Sequence, residues 1–139
     1  MAIKLLSPVS ALAAVDLVTQ AAAIGATTLY AVPATQGGLY DIAFALKVTR
    51  AATTSSTLGA LTISYTDATD SVVQSVVALG GTQAGAAATT NAGNTTTSAL
   101  QGRLTVNAKA GTTITYAIAY VTSGATTMQY EAHLSVRQA

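Results

Sequence analysis

The chain has no cysteine and no tryptophan, a single histidine, and few charged residues of either sign. Without cysteine there is no disulfide framework and no thiolate metal site, and the redox compartment stays open. Only 8% of the 139 residues are charged, against about a quarter in an ordinary soluble domain. A net charge of +1 supplies neither a basic field for nucleic acid nor an acidic field for cations. No apolar run reaches the ~18 residues of a membrane-spanning helix. The expected partners therefore include no nucleic acid and no membrane.

The same scarcity bears on catalysis. An enzyme needs groups of tunable pKa within reach of one another. The ionisable candidates are Asp16, Asp41, Asp67, Asp70, Glu131 and the lone His133. Glu131, His133 and Ser135 alternate along the last strand, about 7 Å apart per step. They match a hydrolytic triad in composition, but neighbours along one strand do not converge on a substrate, and no oxyanion turn accompanies them. Asp67 and Asp70 could hold calcium with carbonyls of their turn. Without a third acid or a glycine hinge, a plain turn explains them better. No phosphate-loop, HExxH or EF-hand pattern occurs. Asn94-Thr95-Thr96 is a glycosylation acceptor only in a secretory route. The expectation is a protein that is not an enzyme, with no catalytic, cofactor-binding or metal-binding residues and no cofactor.

What the chain does contain is period-two alternation. From Gly38 to Arg50, Tyr40, Ile42, Phe44, Leu46 and Val48 share one face, opposite Asp41, Lys47 and Thr49. Leu61, Ile63 and Tyr65 alternate with Thr62, Ser64 and Thr66. Leu104, Val106 and Ala108 alternate with Arg103, Thr105, Asn107 and Lys109. Ile114, Tyr116, Ile118 and Tyr120 share a face, as do Met128, Tyr130, Ala132, Leu134 and Val136. Such segments, rich in Val, Ile, Thr and Tyr, predict an all-β fold. Residues 72–79 are apolar on both faces, which predicts a strand sandwiched between layers or covered by a neighbouring subunit. Residues 15–24 fit a helix or an extended arm or strand, and the strand-like run that follows favours the arm or strand.

Turns fall at residues 33–38, 67–70, 110–111 and 123–125. Residues 80–98 form an uncharged Gly/Ala/Thr/Asn/Gln segment, read as a surface loop that could order against a partner. Residues 1–14 weakly imitate a secretion signal, with Lys4 before an apolar stretch, but Ser7, Pro8 and Ser10 interrupt it. The predicted architecture is a single-domain antiparallel β-sandwich, jelly-roll-like, of about eight strands. Residues 1–24 would be an N-terminal arm or first strand, and residues 25–139 the sandwich. The tyrosines run in phase with Ile, Leu and Val, which places them in the core or a subunit interface rather than on a sugar-stacking surface. Half the residues are hydrophobic, with little charge to keep a free monomer dissolved. That balance suits a subunit packed against neighbours.

The phrases Ala23-Ile-Gly-Ala-Thr-Thr-Leu-Tyr-Ala-Val-Pro33, Gly38-Leu-Tyr and Leu61-Thr-Ile-Ser-Tyr-Thr-Asp67 resemble small structural proteins of tailed bacteriophages and prophages. Ala108-Lys-Ala-Gly-Thr-Thr-Ile-Thr-Tyr116 and Tyr130-Glu-Ala-His-Leu-Ser-Val136 resemble the same group. The Leu-Tyr-x-Val-Pro and Gly-Leu-Tyr elements are also similar to jelly-roll trimers of the complement-globular and tumour-necrosis type. The resemblance covers the chain from about Val15 onward. It implies a homotrimeric subunit located on the virion that decorates the capsid, clamping major capsid protein neighbours. A receptor- or carbohydrate-binding module of a tail fibre or spike is the alternative. A further variant is the protomer of an extracellular filament, whose N-terminal arm is donated to the next subunit.

Overall fold

The computed structural model describes residues 11–78, 94–97 and 99–139. Those residues form eight strands: β1 (Ala13–Gln20), β2 (Ile24–Ala31), β3 (Gly38–Arg50), β4 (Ser55–Thr66), β5 (Val73–Val77), β6 (Ala99–Ala108), β7 (Thr113–Ser123) and β8 (Gln129–Gln138). They make two four-stranded antiparallel sheets. One, here sheet A, has the order β1-β8-β3-β6; the other, sheet B, has the order β2-β7-β4-β5.

The order has a simple origin. β1 pairs with β8, β2 with β7, β3 with β6 and β4 with β5. The chain is thus one long hairpin, folded at the β4–β5 turn and wound so that its paired halves alternate between sheets. Two further pairings, β3 with β8 and β4 with β7, complete each sheet. This is the jelly-roll order, in which two packed sheets bury one face of every strand.

The inward residues are those the alternation selects. Tyr40, Ile42, Leu46 and Val48 of β3 face Leu58, Leu61 and Ile63 of β4 and Ile114 and Ile118 of β7 across the sandwich, all essentially buried. Buried tyrosines reach backbone oxygens: Tyr40 donates to the Gln36 carbonyl, and Tyr130 donates to the Ala22 carbonyl at 2.7 Å. The half-buried Tyr120 donates to the Met128 carbonyl at 2.7 Å. On β6 the inward row runs Leu100, Gly102, Leu104, Val106, and the Phe44 ring fills the place beside Gly102, where an added Cβ would stand 2.8 Å from it. At the β7–β8 turn Gly124 adopts φ +109, and its missing side chain lets Thr54 N approach to within 2.8 Å of the Cβ position.

Three local findings refine the sequence reading. The strand predicted from residue 61 begins at Ser55. A register shift between Leu58 and Leu61 resets its alternation, so both leucines point inward. The strand expected within residues 72–79 does not lie between layers. It is the outer edge of sheet B, with Val76 half-buried on the inner side and Val73 69% exposed. Residues 13–20 of the expected arm are β1, hydrogen-bonded along β8 at one edge of sheet A. Most of the polar 80–98 segment and the signal-like residues 1–10 lie outside the described residues. Within the described part, the Asn94 carboxamide accepts from Ala52 N at 2.7 Å and from Ser56 Oγ at 2.6 Å, and donates to the Ala52 carbonyl at 3.0 Å. It thereby satisfies the buried Ser56.

Thr19 departs from strand geometry. Its φ is 62°, in the left-handed region, at a break in the β1–β8 register between Leu17 and Gln20. For a β-branched residue that conformation costs about 1–2 kcal/mol.

Burial, aided by the neighbouring Tyr120 and Tyr116, pushes the Tyr130 hydroxyl up to about 12 from its ordinary 10. The folded form therefore resists ionisation more than the unfolded chain does. Stability from this group is complete below pH ~10 and falls as the pH climbs through about 12. Tyr130→Phe is expected to lose about 1 kcal/mol at neutral pH, from the hydrogen bond to Ala22, while showing a shallower alkaline decline. Urea midpoints across that range check both effects.

Candidate functional site

Among the described residues the two outer sheet faces are the broadest surfaces on the sandwich. They differ sharply in chemistry.

The outer face of sheet A carries most of the charge. Of the chain's six Lys and Arg and five Asp and Glu residues, Asp16, Asp41, Lys47, Arg103, Glu131 and Arg137 lie on it, with His133. The register sets opposite signs side by side, Asp41 across from Arg137 and Lys47 across from Glu131, and puts His133 across from Asp16. Cross-strand pairs of this kind are mildly favourable and neutralise the face locally. Arg103 sits opposite Ala43 and has no such counterpart among the described residues. Arg103, Arg137, Asp41 and Ser135 border an open depression on this face. Asp41 is already engaged there by the Thr105 hydroxyl at 2.5 Å.

His133 is the most chemically suggestive group. Its Nδ1 lies 2.7 Å from Asp16 Oδ1. The acidic partner thus comes from β1 across the sheet, not from Glu131 two residues earlier. Glu131 faces Lys47, and Ser135 lies between Ala14 and Ala43. The three residues of the sequence triad therefore stay in separate cross-strand rows. His133 is 41% exposed and Asp16 75%, so the contact is open to solvent. The pairing was not legible in the sequence, because it depends on β1 closing against β8. The one available signal was that both residues take the outward phase of their strands.

Sheet B presents the opposite surface. Across β2, β7, β4 and β5, Thr28, Thr115, Ser64 and Ser75 form one outward row. Ala117, Thr62 and Val77 form the next, and Val121 with Thr57 and Ser123 with Ser55 continue the face. Val73 and Val121 are strongly exposed. Among the described residues this face holds no charged side chain. Its hydroxyls partly satisfy one another: Ser64 with Ser75 and Ser55 with Ser123, each at 2.8 Å.

At the β4–β5 turn, Asp67 Oδ1 accepts from Thr69 N at 2.7 Å, and Asp70 Oδ1 accepts from Val72 N at 2.9 Å. Both carboxylates act as turn caps. Among the described residues no three His, Cys, Asp or Glu side chains gather as metal ligands would. All six tyrosines and the one phenylalanine are buried or half-buried, so no ring stands free on either face. Comparison with protein-family models, with curated proteins and with solved structures gives no match for this chain.

A solvated pair such as Asp16–His133 couples weakly. A double-mutant cycle with Asp16→Asn and His133→Gln is expected to give a coupling of about 0.5 kcal/mol that salt diminishes, measured by chemical denaturation. A coupling several times larger would mark the pair as more than an edge contact.

Proposed function

We propose that this chain is a virion structural subunit, a capsid-decoration protein that associates as a homotrimer and binds between major capsid protein neighbours. The observation that carries the reading is the charge-free outer face of sheet B. Burying a face of Thr, Ser, Ala and Val costs little desolvation, whereas burying unpaired charge is expensive. A subunit that works by packing keeps charge off its packing face, and here most of the charged side chains lie on the outer face of sheet A, Asp41 beside Arg137 and Lys47 beside Glu131. The resemblance to tailed-phage structural proteins and the jelly-roll order add to the same reading.

The alternative of a sugar-binding module draws less support. Stacking on a pyranose ring calls for an exposed aromatic side chain, and the rings of this chain face inward. Catalysis draws none from the separated rows of Glu131, His133 and Ser135.

Association through a neutral face should be nearly independent of ionic strength. Particles of the encoding phage that lack this chain are expected to take up the purified protein and keep it at high salt, scored by co-sedimentation. Thr115→Lys, at the centre of sheet B, is expected to weaken uptake at least about tenfold, equivalent to ~1.4 kcal/mol. Ala45→Lys, on the charged face, should leave it within about twofold. Equal effects of the two substitutions, or reproducible binding to one sugar class on a glycan array without particle uptake, would overturn the assignment.

A further inference from the structure

We infer that the depression between Arg103 and Arg137 on the outer face of sheet A is a binding site for a carboxylate, carried by a small organic acid or by an acidic side chain of another protein. It lies on the opposite side of the sandwich from the face proposed for packing and does not depend on how that face is used.

Three strands build the depression. The register lines up Arg137 of β8, Asp41 of β3 and Thr105 of β6 in one outward row, and Ser135, Ala43 and Arg103 in the next. Ala43 is the smallest of these side chains, and it stands on the middle strand with larger ones on either side. The result is a hollow of about 240 Å³. Half-buried Ala43 and Ser135 form its floor, and exposed Arg103 and Arg137 border it from the two flanking strands. Ala139 also borders it, but its backbone N–H donates to the Leu39 carbonyl at 3.0 Å, which keeps it in the line of β8.

The donors at this hollow are unspent. Among the described residues the one ion pair is Asp16 with His133, so neither Arg103 nor Arg137 is matched by a carboxylate. All five acidic side chains of the sequence are among those residues. Asp41, although across from Arg137, accepts from the Thr105 hydroxyl at 2.5 Å instead. Arg50 is the one arginine among the described residues whose side chain hydrogen-bonds within the chain. Two guanidinium forks, whose paired N–H donors suit an oxyanion, therefore flank a hollow with a hydroxyl at its floor.

Charge and size select the ligand. Arg103 and Arg137 against Asp41 leave one positive charge at the border, which a single carboxylate balances. A dianion would set its second charge against Asp41, a like-charge contact that costs binding. The hollow is far larger than the ~30 Å³ of a water molecule and smaller than the roughly 300–1,000 Å³ of sites for drug-sized molecules. It holds a carboxylate with a few carbons attached.

Titration of the isotopically labelled full chain, followed by NMR, tests the site with two probes. Propionate represents a free acid, and N-acetylglutamate amide represents an acidic side chain. Saturable shifts centred on Arg103, Ala43 and Arg137 are expected; equal affinity for both probes points to a free acid, and tighter binding of the second to a protein side chain. Arg103→Gln and Arg137→Gln are each expected to weaken binding about tenfold, the loss of one charge-assisted contact. Ala43→Leu, which fills the hollow and leaves every charge in place, should abolish it in a chain whose remaining spectrum is unchanged. Lys47→Gln, the same loss of charge farther along the face, should leave it unaltered. The inference is overturned if the Arg103→Gln/Arg137→Gln double variant binds like the parent chain, if Lys47→Gln weakens binding as much as either arginine substitution, or if sulfate at matched ionic strength produces the same shifts.

Discussion

Five side chains on one strand, Tyr40, Ile42, Phe44, Leu46 and Val48, fix the phase of the whole molecule. β3 lies in the middle of sheet A, between β8 and β6. A slip of one residue would exchange the inward row for Leu39, Asp41, Ala43, Ala45 and Lys47. Asp41 and Lys47 would then enter the core without partners, at a cost far above the stability of a small domain. The register of β3 is therefore set twice, by what it buries and by what it cannot bury. Leu134 and Val136 on one side, and Leu104 and Val106 on the other, take their phase from it.

The same constraint shapes the outer surface. With β8 in its observed register against β3, Asp41 falls beside Arg137 and Lys47 beside Glu131. The balanced charges of sheet A are thus a by-product of how its core is registered. Sheet B has no such obligation, since its strands alternate apolar residues with Thr and Ser. The two outer faces therefore differ in chemistry, charged on sheet A and made of hydroxyls and small apolar groups on sheet B.

How far the sequence went depended on regularity. β3, β7 and β8 were legible because each keeps an unbroken period of two with large apolar residues in phase. β4 was half legible: its first stretch, Ser55 to Ala60, has few large side chains, and the shift between Leu58 and Leu61 breaks the period. β1 was ambiguous because alanines dilute its pattern, so Val15 and Leu17 alone do not separate strand from helix. β5 looked like a buried strand because valines occupy both faces. An edge position tolerates the same pattern, and only topology distinguishes the two. The Asp16–His133 contact was beyond sequence reasoning for a related reason, since it joins residues near opposite ends of the chain.

The nested pairing has a consequence for how the chain reaches its fold. β4 and β5 are joined by the tight Asp67–Val72 turn, closed by Asp67 N to the Val72 carbonyl at 2.9 Å. Each later pair, β3 with β6, β2 with β7 and β1 with β8, encloses the one before it. Loop-closure entropy is smallest for the innermost pair and grows outward, so assembly runs as a zipper from the turn. A topology this rich in distant pairings folds slowly. The terminal strand is the last to seat, and for the longest time the β8 edge stands open.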